Sequence, residues 1–112
     1  MCEQRKFDTG AVRDSVEGKG RCDLLPADCV LRVAKTYQRG AEHYDARNWE
    51  KGVPASSFID SALRHLLRWL DGDKTEDHLG AAVFNVFGLM RLEHDMPELV
   101  DIPKRWENPN KE

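Results

Sequence analysis

No apolar run in the 112-residue sequence approaches the roughly 20 residues that a membrane-spanning helix needs. The opening MCEQRKFD has no apolar core region, so a secretory signal is not expected either. Cysteine is scarce. Cys2, Cys22 and Cys29 are odd in number and match no zinc-ligand spacing, which points to free thiols in a reducing cytoplasm rather than a disulfide framework. An excess of positive charge is also missing. At a net charge of −3 the overall field is weakly repulsive to phosphates, so neither a nucleic-acid polymer nor a membrane is expected as a partner. Any phosphate ligand would need a local basic cluster. The chain has no internal repeat, no convincing strand pair and no Walker A loop: Gly18-Lys19 is followed by Gly20 rather than Ser or Thr, and no strand precedes it.

What is present suits a soluble globular chain. Apolar residues make up 40% and charged residues 33%, enough for one modest core and not for two. The expected fold is all-α, a small bundle of three main helices with an irregular N-terminal arm and a C-terminal tail, completed by oligomerisation. Residues 1–22 read as a glycine-rich basic arm, 23–96 as a helical nucleotide-binding domain, and 97–112 as a polar tail interrupted by Pro97, Pro103 and Pro109. The final NPNKE is expected to fray, and Trp106 to pin the tail onto the domain or another subunit.

In the arm, Arg5, Lys6, Arg13, Lys19 and Arg21 sit beside Gly10, Gly18 and Gly20. Basic side chains next to backbone N–H groups that a ligand can approach form a candidate phosphate clamp, with a mobile arm as the alternative. The first helix is expected to start near Pro26, with Val30, Val33, Ala34, Tyr37, Ala41 and Tyr44 as its apolar stripe. Glu42 and Asp45 share an E-x-x-D spacing, for which a solvated helix end is the simpler account. Residues 45–54, DARNWEKGVP, read as a loop whose Trp49 either anchors on the domain or stacks on a planar ligand.

The second helix offers Ser57 as N-cap, with Asp60 three residues on. Ile59, Ala62, Leu63, Leu66 and Leu70 form its expected buried stripe, and Gly72 stops it. Asp60 and Arg64 stand at i, i+4, where a surface ion pair is the bland explanation, and His65 lies at the border of the stripe. The third helix has Thr75 as expected cap and Glu76 and Asp77 in its first turn. From Leu79 to Met90 it is almost wholly apolar or small, so it should be central, with Val83, Phe84, Val86 and Leu89 in the core. Asn85 inside that run needs a hydrogen-bond partner, since a buried amide without one costs on the order of 1–3 kcal/mol. His78 and Asn85, seven apart, share a face, and the small residues of 79–90 would equally suit a subunit interface.

The order of KFDTGAVRD, GKG, RNWEKGVP, the D-x-x-x-R-H of Asp60, Arg64 and His65, and EDHLGAAVFNVFGLM resembles the phage-encoded dATP/dGTP diphosphohydrolase N-terminal domain family. That family is distantly similar to the all-α nucleotide pyrophosphohydrolases of the MazG type. The resemblance implies a helical protein handling a purine deoxynucleotide in the host cytoplasm. The sequence departs from the MazG pattern. Four carboxylates, an E-x-x-E helix and a later E-x-x-D helix, hold Mg²⁺ there, and here Glu42 and Asp45 have no E-x-x-E partner. The word "N-terminal" further suggests chemistry in a second domain.

Two readings of function follow. As an enzyme, the protein would hydrolyse a purine deoxynucleoside triphosphate to monophosphate and pyrophosphate with Mg²⁺. Asp60 and Asp77 would hold the metal, Asp60 and His65 would be the catalytic pair, and His65 or His78 would be candidate acid/base groups or metal ligands. As a sequestering protein, it would hold a nucleotide signal of host anti-phage defence, without turnover or metal. The ligand-binding residues expected on either reading are Lys6, Arg13, Lys19, Arg47, Asn48, Trp49, Lys51, Arg64, His78 and Asn85. The partners are a purine nucleotide or nucleotide second messenger and a second copy of the chain.

Overall fold

The protein is described here by a computed structural model covering residues 3–106. Cys2, Pro109 and the NPNKE terminus lie outside the described residues. Three helices dominate, as expected: α1 (Ala27–His43), α2 (Ala55–Leu70) and α3 (His78–Asp95).

The arm differs from the expectation of irregular chain. Gln4–Lys6 (β1) pairs antiparallel with Val12–Asp14 (β2), placing Arg5 opposite Arg13. Gly10 turns the hairpin at φ 91°, a conformation that disfavours side chains, and its N–H donates to the Phe7 carbonyl at 2.9 Å. Both strands are exposed, short and charged, so they carry no apolar alternation for a sequence reading to detect.

Two helix starts also differ, because the caps are not the nearest hydroxyls. α2 begins at Ala55, ahead of Ser57. Its open end is closed by Asp101, which accepts from the Ser56 N–H at 2.8 Å and from the Ser56 hydroxyl at 2.5 Å. α3 begins at His78 with Asp77 as cap, accepting from the Gly80 N–H at 3.1 Å. Thr75 instead donates its N–H to Asp73.

α3 packs along α2, and α1 lies against α3. Two glycines of α3 permit these approaches. A Cβ on Gly88 would lie 2.5 Å from Cε1 of Phe58 in α2, and one on Gly80 would lie 2.7 Å from the Thr36 hydroxyl in α1. The core gathers Ala55, Phe58 and Leu92, with Leu89 and Met96 packed against it. Leu99, Val100 and Ile102 join that core, so the start of the proline-containing segment folds back onto the helices. Trp106 fastens it, its indole N–H donating to the Val100 carbonyl at 2.7 Å.

The helical layer is open. No residue of α1 is buried. Leu63, Leu66 and Leu70 of α2 and Val86 of α3, all expected in the core, are exposed, Leu70 by 74%. The radius of gyration is 18.9 Å, against about 13 Å for a compact domain of this length. The apolar stripes are real, but α1 packs on α3 without closing over α2, and nothing in the described chain covers them.

Candidate functional site

The connection 71–77 between α2 and α3 is short, so the last turns of α2 come to rest beside the first turn of α3. Two histidines meet there. His78, the first residue of α3, is 1% exposed, and its Nδ1 lies 2.9 Å from Nδ1 of half-buried His65. The other ring nitrogen of His78, Nε2, stands 3.0 Å from Asp73 Oδ2. The Thr75 backbone N–H, then the Thr75 hydroxyl and His78, hold the Asp73 carboxyl down to about 2. Asp73 is therefore ionised and can only accept, so Nε2 of His78 carries a proton and its Nδ1 presents a lone pair to His65.

The Glu76 carboxylate stands 3.5 Å from His65 Nδ1, and donor atoms of His65, Glu76 and His78 all fall within 4.8 Å of one another. Burial pushes the His65 pKa down. Glu76 opposes that shift, and His78, Arg64 and Arg68 add to it. Both arginines thus reach His65 electrostatically from α2. On the α1 side Arg32 grips Asp77, with contacts of 2.6 and 3.1 Å. That guanidinium is the main reason the Asp77 carboxyl lies below the usual range. Burial opposes it, while the Gly80 N–H and the charge of Arg39 assist. Arg32 is thus held at the N-terminal end of α3, where the helix dipole already favours an anion.

Of the residues expected to act, the fold joins His65 to His78 and leaves the others in separate settings. Asp60 pairs with Arg64 at 2.6 Å along a groove with Leu63, Leu67, Arg68 and Asp71. Asp77 belongs to Arg32, and no contact links it to Asp60 among the described residues. Lys6 ends β1, Arg13 lies in β2, and Lys19 sits between Gly18 and Gly20, both at positive φ; all three cations are exposed.

In the loop, Asn48 opens a helical turn over Asn48–Lys51. Arg47 bonds Glu50 at 2.6 Å, and Lys51 bonds Asp45 at 3.2 Å. Trp49 meets Tyr37 edge-on with centroids 5.9 Å apart, and Tyr37 in turn packs on Phe84. Trp49 also lines a cleft of about 250 Å³ with Gly52, Phe58, Gly88 and Arg91. Gly88 is ten residues beyond His78, so this cleft lies about 15 Å along α3 from the histidine pair. Asn85 donates to the Ala81 carbonyl of its own helix at 2.8 Å, which meets the amide's need for a partner. Glu42 accepts from Gln38, leaving the E-x-x-D pair without a joint role.

Sequence reasoning missed Asp73 and Arg32, and took Glu76 only as a first-turn acid. The available signal was the short connection 71–77, which folds α2 back on α3 and sets these groups around His78. Arg32, 45 residues from Asp77, had no such local signal.

The fold and this centre define an all-α protein with a histidine pair set between Asp73 and Glu76 at a helix N-terminus. The chain belongs to the family described as dATP/dGTP diphosphohydrolase, N-terminal, whose model matches residues 9–102. No curated protein and no solved structure matches it.

Proposed function

We propose that the protein binds a purine deoxynucleoside triphosphate with its phosphates at the N-terminal end of α3, and cleaves it to the monophosphate and pyrophosphate. One observation carries this reading: the His65–His78 contact, oriented by ionised Asp73, sits at the start of α3 and feels the positive charge of Arg64 and Arg68. Arginines match phosphate oxygens bidentately. His65, kept neutral by burial, is suited to accept a proton from an attacking water. The family description supplies the substrate class.

Mg²⁺ does not fit the residues first expected to hold it. It requires near-octahedral oxygen ligands, whereas Asp60 and Asp77 are engaged by Arg64 and Arg32 respectively. The chemistry proposed is therefore that of the protein's own side chains.

That same commitment of carboxylates favours a second reading, sequestration without turnover, in which a phage protein in the host cytoplasm holds a nucleotide second messenger. Chromatography of nucleotide recovered after incubation separates the two: intact dATP or dGTP supports sequestration, and monophosphate with pyrophosphate supports hydrolysis.

The reading includes a homo-oligomer. Val30 and Leu31 of α1, Leu63, Leu66 and Leu70 of α2, and Phe87 of α3 are exposed, more apolar surface than an isolated small domain ordinarily leaves in water.

A further inference from the structure

We infer that His65, His78 and Glu76 form a binding site for a zinc-class divalent cation, distinct in donor set and position from the Asp60 and Asp77 carboxylates. Two imidazole nitrogens and one carboxylate are the ligands such ions favour. Three protein ligands leave a coordination position open.

The donor atoms already lie together, all within 4.8 Å of one another. His78 already presents its Nδ1 lone pair, because Asp73 accepts the proton on Nε2 at 3.0 Å. This carboxylate–histidine arrangement orients metal-bound imidazoles elsewhere. His65 Nδ1 stands 2.9 Å from that lone pair and 3.5 Å from Glu76 Oε1. Ligand atoms on one tetrahedral zinc, at bonds of about 2.0–2.1 Å, lie about 3.3 Å apart, so the two nitrogens need separate by only a few tenths of an ångström.

The apo state is satisfied by a His65 Nδ1–H···Nδ1 His78 hydrogen bond. Cation binding replaces that proton, which leaves to solvent, so affinity rises with pH. The site also brings Glu76 a role, since its carboxylate has no arginine or lysine partner among the described residues. Cation binding itself is independent of whether any nucleotide is cleaved.

The test uses the full chain without nucleotide, stripped with EDTA and titrated with Zn²⁺ against a chromophoric chelator and with Co²⁺ in the visible range. The expected result is one ion per chain, a tetrahedral Co²⁺ spectrum, and no competition from Mg²⁺. His65→Ala should abolish saturable binding, Glu76→Gln should weaken it, and Asp73→Asn, which removes the charge of the orienting carboxylate, should weaken it about 10–100-fold. His94→Ala removes another histidine–aspartate pair, at the far end of α3, and should change nothing. Glu76 is exposed, so Glu76→Gln is expected to retain the helical circular dichroism and stays informative if His65→Ala does not fold. Absence of saturable Zn²⁺ uptake, or uptake with undiminished affinity in Glu76→Gln, overturns the inference.

Discussion

The ring of Phe58 in α2 occupies the space that a side chain at Gly88 of α3 would need: a Cβ there would meet Cε1, Cζ and Cδ1 at 2.5–2.8 Å. Phe58 is itself buried in the principal cluster, so its ring has little room to retreat. Gly88→Ala is expected to destabilise the protein by about 1–3 kcal/mol, the cost of overpacking, despite alanine's better helix propensity. Urea unfolding checks this. Unchanged or raised stability would mean that the α2–α3 contact is looser than described.

Arg32 and Asp77 join α1 to the cap of α3 across an otherwise thin contact. Arg32 is half exposed, so the pair is partly screened, and Arg32→Gln is expected to lower stability only slightly. The effect on hydrogen exchange should be local, with α1 amides losing protection ahead of those in α2. Uniform loss across the three helices would contradict the view of α1 as a weakly docked element.

Much of this fold was legible in the sequence because helical periodicity is a local signal. Pro26, the stripe from Val30 to Tyr37 and the breaker Gly72 placed the helices closely. What could not be read was tertiary. Asp101 caps α2 from the far end of the chain, and Arg32 reaches Asp77 from another helix. The stripe of Leu63, Leu66 and Leu70 signals burial without stating against what, and the described chain does not cover it. At the site, His65 and His78 stood out as polar residues on apolar helices. Their mutual contact depended on the turn 71–77, and Asp73 and Glu76 acquire meaning only through that turn.

His65 titrates in a direction that sets a pH dependence. Its folded pKa is lowered from 6.5, chiefly by burial, so between that lowered value and 6.5 the unfolded chain binds more protons. Stability therefore rises with pH through this window, and is lost as pH falls below about 6.5. Denaturant midpoints measured from pH 5 to pH 8 should show this slope, and His65→Gln should flatten it. An identical slope in the variant would assign the effect to other groups. The lowered Asp73 and Asp77 carboxyls act in a separate, more acidic range. Their contribution is present above about 3.8 and fades toward about 2 for Asp73.

The open helical layer gives an expectation for solution size. Light scattering coupled to size-exclusion chromatography should report a mass at least twice the 12.8 kDa of one chain. Leu66→Asp, at an exposed position of α2, should shift the population toward monomer while preserving helicity if α2 forms the interface. A monomer at high micromolar concentration would contradict the oligomeric reading.

Phosphate binding by a purine deoxynucleotide at the histidine pair is the property on which the proposed function depends. It is tested most directly by equilibrium titration of the full chain with dATP and dGTP, comparing the natural sequence with His65→Ala and Arg64→Ala. Saturable binding is expected, at least tenfold weaker in each variant, a loss of about 1.4 kcal/mol or more. No saturable binding of either nucleotide, or equal affinity in all three proteins, would contradict it.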